Sequence, residues 1–370
     1  MDKTGMYYFL ASILSLDFKP ENRGKLMEGF LSGKINWNGF VKLGSDNLVL
    51  PALYLNLHKH NLTAYLPDDL NEYLLGVLDL NRERNQKVLK QALFARDTFR
   101  AADIECVFMK GTANMLDGLY GDIGERMVYD LDILAEEGKM LQAAEILHKH
   151  GFVTQKGFNP RAMESTMHYP ILLRSDMVAG IEVHRMAVQY LYQKNFTTSQ
   201  IHKHKVEASS EDGFWVMNLR DRIIHNFLHA QLMHSGHYHA DVSLRDLYDL
   251  LLLSRKEDAF EIFRDYGHYQ RKSYPYLKLM HKVFDLEMPS GLAKNNYGWF
   301  FLKRQQYTLK MSSTKLRRYH LVIMFFQKYI VLPMRVLWNQ KARNYVFSRL
   351  TDRSWYKQHF EAIKRLLSKG

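Results

Sequence analysis

One cysteine, eight prolines and no long uncharged apolar run: this chain of 370 residues does without several common devices. A lone cysteine cannot close an internal disulfide, so packing has to hold the fold, and the chain suits a reducing compartment. Cys106 stands in the apolar run Cys106-Val107-Phe108-Met109 and is expected to be a small buried hydrophobe, not a nucleophile. Sparse proline and the absence of low-complexity stretches leave no visible linker, so one continuous globule is expected. The apolar run of residues 6–16 leads into Asp17 and Lys19 without a small-residue cleavage site. It reads as a surface-packed helix, not as a signal peptide. Residues 319–338 come nearest to a membrane span, but Lys328, Pro333 and Arg335 interrupt them, and a span needs about 20 uncharged apolar residues. They are expected to form a buried helix of a C-terminal lobe. The rival reading is a helix lying on an anionic membrane surface through Lys315, Arg318, Lys328 and Arg335.

Acidic residues are nearly missing from the end of the chain. Residues 291–370 hold 17 Lys and Arg but only 2 Asp and Glu, whereas residues 1–290 hold 34 and 37. The whole net charge of +12 therefore belongs to the last 80 residues. A basic segment of that size attracts polyanions, either RNA or an anionic membrane surface. No interleaved aromatic and glycine signature of an RNA-binding module accompanies it.

With 46% hydrophobic residues the chain can bury a substantial core. Apolar residues recur at helical spacing over residues 6–16, 26–31, 40–58 and 70–100. Asp68 and Asp69 fall in the first turn of the last of these helices, and Arg82, Arg84 and Lys87 are expected to be its solvated face. Strand-like runs follow at residues 106–109, 130–134, 152–154, 168–174 and 180–186, the last two forming an antiparallel hairpin. Helices are expected at 113–120 and 138–150, then again at 218–233 and 241–254, with Asp241 as a cap. The sum is an α/β (α+β) fold, a small mixed sheet at 103–210 between a helical N-terminal lobe (1–102) and a helical C-terminal lobe (211–370).

Chemistry concentrates in three segments: Lys110-Gly111-Thr112, Arg126-Met127-Val128-Tyr129-Asp130-Leu131-Asp132-Ile133-Leu134, and Ile181-Glu182-Val183-His184. Residues two apart on a strand share a face. Asp130 and Asp132 therefore point one way while Leu131 and Ile133 point into a core, and Glu182 and His184 repeat the pattern. Acids crowded on one face repel each other, which a divalent cation between them relieves. Carboxylates suit Mg²⁺. On that reasoning, removing either aspartate from the metal-free protein is expected to cost no stability. A strand that ends at Gly111 and opens a helix offers backbone N–H groups to an anion, with Thr112 as a cap or a phosphate contact. The histidines at 225, 229, 234, 237 and 239 are expected to pack or to reach the same pocket. They lack a His-Glu-x-x-His pattern or a nearby cysteine that would signal zinc.

The order of Lys-Gly, a short helix, Arg-x-x-x-Asp-x-Asp-x-Leu, a helix, and a strand with an acid two before a histidine resembles the uncharacterised nucleotidyltransferase family. That family is a bacterial branch of the DNA polymerase β-like nucleotidyltransferase superfamily. The resemblance spans roughly residues 25–255. It implies a two-metal Mg²⁺ site on Asp130, Asp132 and Glu182, and a phosphate-side turn at Gly111-Thr112. It further implies that Lys110 and Arg126 face the triphosphate of an NTP, with His184 beside it. A helix pair carrying His229 and Asp249 matches the family as well. Two departures stand out: Gly-Thr replaces the superfamily's usual Gly-Ser or Gly-Gly, and the gap from Gly111 to Asp130 is longer. The implied activity moves an NMP from an NTP to an acceptor hydroxyl, on RNA such as tRNA or on a cell-surface polymer precursor. The implied location is cytoplasmic or peripheral on the inner membrane, with no integral span. The competing class is a non-catalytic polyanion-binding protein that keeps the fold. A degraded site would have lost an acid or the turn glycine, and none is missing.

Overall fold

The computed structural model describes the chain apart from residues 156–165, 194–195, 212, 242, 297, 341–342, 345, 348–355, 357–359, 362–363 and 365–370. The N-terminal helices are α1 (Lys3–Leu14), α2 (Asn22–Leu31), α3 (Trp37–Asp46), α4 (Leu50–Lys59) and α5 (Asp68–Ala101). Residues 40–58 are two helices and not the single one expected. Leu48 takes φ 57° and so breaks the helical path, and Pro51 opens α4, where a missing N–H costs nothing. In α5, Asp68 and Asp69 occupy the first turn as expected.

A seven-stranded mixed sheet follows, in the order β3-β4-β5-β2-β1-β7-β6. Its strands are β1 (Cys106–Phe108), β2 (Asp130–Ala135), β3 (Val153–Thr154), β4 (Leu172–Leu173), β5 (Gly180–His184), β6 (Val206–Glu207) and β7 (Trp215–Val216). Helices α6 (Lys110–Leu116), α7 (Met140–Lys149) and α8 (Thr198–His204) interleave with them. The expected hairpin is present: Leu172 pairs antiparallel with Ile181, and His168 bridges His184. Strands β6 and β7 are two residues each, too short to leave a period in the sequence.

The remaining helices are α9 (Leu219–Phe227), α10 (Gly236–His239), α11 (Leu244–Lys256), α12 (Ala259–Asp265), α13 (Gln270–Val283), α14 (Ser290–Ala293), α15 (Trp299–Leu309), α16 (Ser313–Phe326) and α17 (Leu332–Val336). π-helical turns extend α9 through Leu228–Met233 and join α16 to α17 through Gln327–Val331. Ser243, not Asp241, occupies the N-cap position of α11.

Two cores divide the molecule. Leu131, Ile133, Ile181 and Val183 pack on Val88, Ala92 and Phe99 of α5 and on Ala143 and Leu147 of α7. The N-terminal helices share a second core with α9, α11 and α13, so the first and last parts of the fold are one packed body. The expectation of a buried helix at 319–338 is overturned. No residue of α16, the π turn or α17 is buried. Among the described residues no helix is long and apolar enough to cross a membrane.

Candidate active site

Strands β2 and β5 run parallel, with Asp132 directly beside Glu182 and Leu134 beside His184. Because side chains alternate, one face of the pair carries Asp130, Asp132, Glu182 and His184, while Leu131, Ile133, Ile181 and Val183 are fully buried on the other. A one-residue slip would put every acid into the apolar core, so burial of that core fixes the register of the acids.

Asp132 is the hub of the acid face and is almost entirely buried. Its Oδ1 accepts from Lys110 Nζ at 2.5 Å and from His184 Nε2 at 2.9 Å. His184 Nε2 also lies 3.4 Å from Glu182 Oε2, and His168 Nε2 lies 4.0 Å from the same oxygen. Burial alone would raise the Asp132 carboxyl, but Lys110 and His184 hold it far below the usual carboxylate range. Burial opposes the charge on His184 too, yet its bonds to Asp132 and Glu182 leave its pKa above that of free histidine. His184 Nδ1 is buried and makes no hydrogen bond. Asp130 lies on the same face but outside this cluster. Burial, and then the neighbouring Asp132 charge, push its carboxyl up to about 6.

The junction of β1 with α6 delivers Lys110. Lys110 takes φ 54°, a left-handed backbone that costs a non-glycine residue about 1–2 kcal/mol. The strain sits on the lysine, not on Gly111, which has no positive φ. A Cβ at Gly111 would meet only Val128 and Arg126, at 3.5 and 3.7 Å. Thr112 does not cap the helix, since α6 begins at Lys110 with Met109 as its N-cap. Thr112 is buried, and its hydroxyl donates to the Asp130 carbonyl at 3.1 Å, tying α6 to the start of β2.

Helix α5 holds both acid strands in place, through residues that periodicity alone assigned to solvent or left unremarked. Arg84 donates to the carbonyls of Val128, Tyr129 and Val178 at 3.2, 3.1 and 2.9 Å. Gln91 exchanges two bonds with the Ala179 backbone, at 2.6 and 3.2 Å. Asn81 and Asn85 both donate to the Arg126 carbonyl. Arg82 pairs with Asp122 at 2.7 Å. The spacing of Asn81, Asn85 and Gln91, four and six residues apart among the buried positions of the helix, is the signal that could have found them, because polar side chains on a buried helical face need backbone partners.

The opposite wall comes from α9, its π turn and α11, and encloses with the acids a cavity of about 420 Å³. His225, His229 and His234 line it, with His229 Nε2 and His234 Nε2 3.1 Å apart. Burial pushes the His225 imidazole down to about 4, and its Nε2 bonds the Ala187 carbonyl at 3.0 Å. Arg126 also lines the cavity, but its charge is engaged. Nε donates to both Asp249 oxygens at 3.1 Å, Nη2 lies 3.0 Å from Oδ2, and Nη1 donates to the Met127 carbonyl at 2.7 Å. Tyr120 also donates to Asp249, at 2.9 Å. Arg126, which the resemblance turns toward a triphosphate, thus lines the cavity with its guanidinium held by Asp249. Lys110 remains the cation nearest the acids.

The family model for uncharacterised nucleotidyltransferases matches residues 33–274. The chain belongs to that family. No curated protein and no solved structure matches it. The matched span takes in the acid strands, α5 and the histidine wall, so the whole cavity falls within the family region, and the basic C-terminal helices lie outside it. Metal-ligand chemistry fits the residues present. Asp132, Glu182 and His184 each offer one atom, all within 4.8 Å of one another. Of the expected set Asp130, Asp132 and Glu182, the last two stand side by side across the strands and are joined by His184, while Asp130 stands one step along the same face, opposite Gly180.

Proposed function

We propose that this nucleotidyltransferase moves an NMP from an NTP to an acceptor hydroxyl, using divalent cations held by Asp132, Glu182 and Asp130. Four carboxylate and imidazole groups on one sheet face, beside a lysine in the same cavity, carry the reading. Bound there, Mg²⁺ would offset phosphate charge and ease deprotonation of the acceptor hydroxyl. The acceptor oxygen forms its bond to the α-phosphorus as the bond to the leaving pyrophosphate oxygen breaks in line. Lys110, on its strained backbone, holds its ammonium on Asp132 at the acid face, where it would also meet the triphosphate. His184 orients Asp132 and Glu182 through Nε2, and the hydroxyl proton leaves by way of Glu182 or solvent. Arg126 shapes the phosphate side by fixing the 126–130 segment through Asp249. The histidine wall closes the cavity over the nucleotide.

A polyanion is the proposed partner of the basic C-terminal lobe. Incubation with each labelled NTP, with and without Mg²⁺, in an extract analysed by mass spectrometry should show a labelled acceptor. That label should depend on metal and disappear in Asp132→Asn. Metal-independent labelling, or full labelling by Asp132→Asn, would refute the site.

A further inference from the structure

Helices α16 and α17 with the π turn between them present a continuous outward stripe. Exposed positions recur at 315, 318, 322, 325, 326, 329, 330, 334, 337 and 338, the three-and-four spacing of one helical face. The stripe begins with Lys315 and Arg318 and then turns apolar. Val322 is 67% exposed, Phe325 60%, Leu337 73% and Trp338 68%. Exposed apolar side chains at this density are not a surface that water tolerates for its own sake. The surrounding segment carries the 15-charge basic surplus.

We propose that this stripe docks the protein on an anionic lipid bilayer, and that an adjoining cavity admits the polar head of an acceptor lying in that bilayer. Charge and shape select the occupant. Cations at one end suit lipid phosphates, and the apolar length suits the boundary between head groups and acyl chains. Phe325, Phe326, Tyr329 and Trp338 carry rings able to stack on bases, but they share the stripe with Val322, Ile330, Met334 and Leu337, and its exposed cations stand only at one end, so it lacks the charged groove that tracks a nucleic-acid backbone. A second copy would set one strongly basic face against another.

The cavity, about 770 Å³, lies beneath the same helices. Met324 and Leu332 form its helical side, Leu191 and Met233 the opposite side, and Lys328 and Arg335 supply cations. Met167, His168 and Met233 line both this cavity and the acid pocket, so the two adjoin. A hydrocarbon-anchored acceptor with an anionic head matches such a wall, in which apolar side chains alternate with polar ones such as Gln189, Ser235 and Gln327 and with two cations, Arg335 also donating to Tyr238. This second half rests on the transferase reading above; docking does not.

Flotation of the full chain with phosphatidylglycerol vesicles tests the docking, with phosphatidylcholine vesicles as the reference. Binding to the anionic vesicles is expected to fall as salt rises. It should drop by about tenfold or more in Phe325→Ser/Leu337→Ser/Trp338→Ser, and likewise in Lys315→Glu/Arg318→Glu. These positions are exposed, so melting temperature and NTP binding should hold in both variants. Asp132→Asn should float like the unaltered protein, which separates loss of docking from loss of chemistry. No flotation at low salt, or flotation that neither variant weakens, overturns the proposal. So does an RNA gel shift sensitive to the charge variant alone, or a dimer that only the apolar variant dissolves. For the acceptor, labelled NMP should enter the organic phase of a membrane extract. Label found only in aqueous polymer overturns that half while docking stands.

Discussion

Asp132→Ala and Asp130→Asn, two residues apart on one strand face, should have opposite effects on stability. Asp132 is buried and accepts from Lys110 and His184 on a single oxygen. Truncating it leaves a buried imidazole and a three-quarters buried ammonium without their shared partner. Breaking a buried pair from one side costs about 3–5 kcal/mol, and the partial exposure of Lys110 places this case near 3. In a chain of 370 residues that is a fall in melting temperature of roughly 4 °C. Asp130 carries no such burden. Burial and the Asp132 charge disfavour its ionised form, so Asp130→Asn should be neutral, or stabilising by up to about 1 kcal/mol. Urea unfolding at neutral pH in EDTA reads both. Equal losses, or an Asp132→Ala protein as stable as the unaltered one, would refute the ion-pair account. This outcome corrects the simpler expectation that either acid of a repelling pair can be removed freely: repulsion describes Asp130, while Asp132 is already paired.

Stability should fall on acidification through the histidines. Burial pushes His225, His237 and His239 down to about 4 each, so the unfolded chain takes up protons that the fold refuses. Their contribution is full above the unfolded pKa of about 6.5 and is lost as pH falls from there toward 4; His225 alone contributes on the order of 3 kcal/mol. Urea midpoints across that window should decline, and His225→Gln should flatten part of the decline. Asp249→Ala should cost about 3–5 kcal/mol by stranding Arg126, and Arg126→Met/Asp249→Leu less than the sum of its singles; additive effects in a double-mutant cycle would dissolve the pairing. Cys106, whose thiol burial raises to about 12, should resist thiol reagents in the folded protein and react fully in urea.

The acids were legible because a period of two is strict: Asp130, Asp132, Glu182 and His184 share a face as their spacing demands. Their exact partnership was not, because it depends on the offset between β2 and β5, which lie about fifty residues apart in sequence and meet only in the sheet. Arg126 shows the same limit. The resemblance turned it toward phosphate, but that Asp249 of α11, 123 residues further on, also holds it is a contact no local pattern shows. Arg82, Arg84 and Lys87 of α5 looked like a wet face because they are charged, whereas Arg84 binds backbone carbonyls that no sequence pattern announces. The helix at 319–338 misled in the opposite sense. Its apolar content implied burial, yet nothing in the described fold covers its outer face.

The shared core of the two ends also sets a timetable. Helix α1 packs against α13 and α15, whose residues leave the ribosome more than 250 positions later. At about 5–20 residues per second, Met6, Leu10 and Leu14 wait on the order of 10–50 s for the partners that complete their burial. The nascent chain therefore carries an unfinished apolar face through most of its synthesis and closes the fold last at its beginning. A ribosome stalled before α13 should hold a chain that chaperones bind through residues 1–60, and release of that grip should coincide with the emergence of α13.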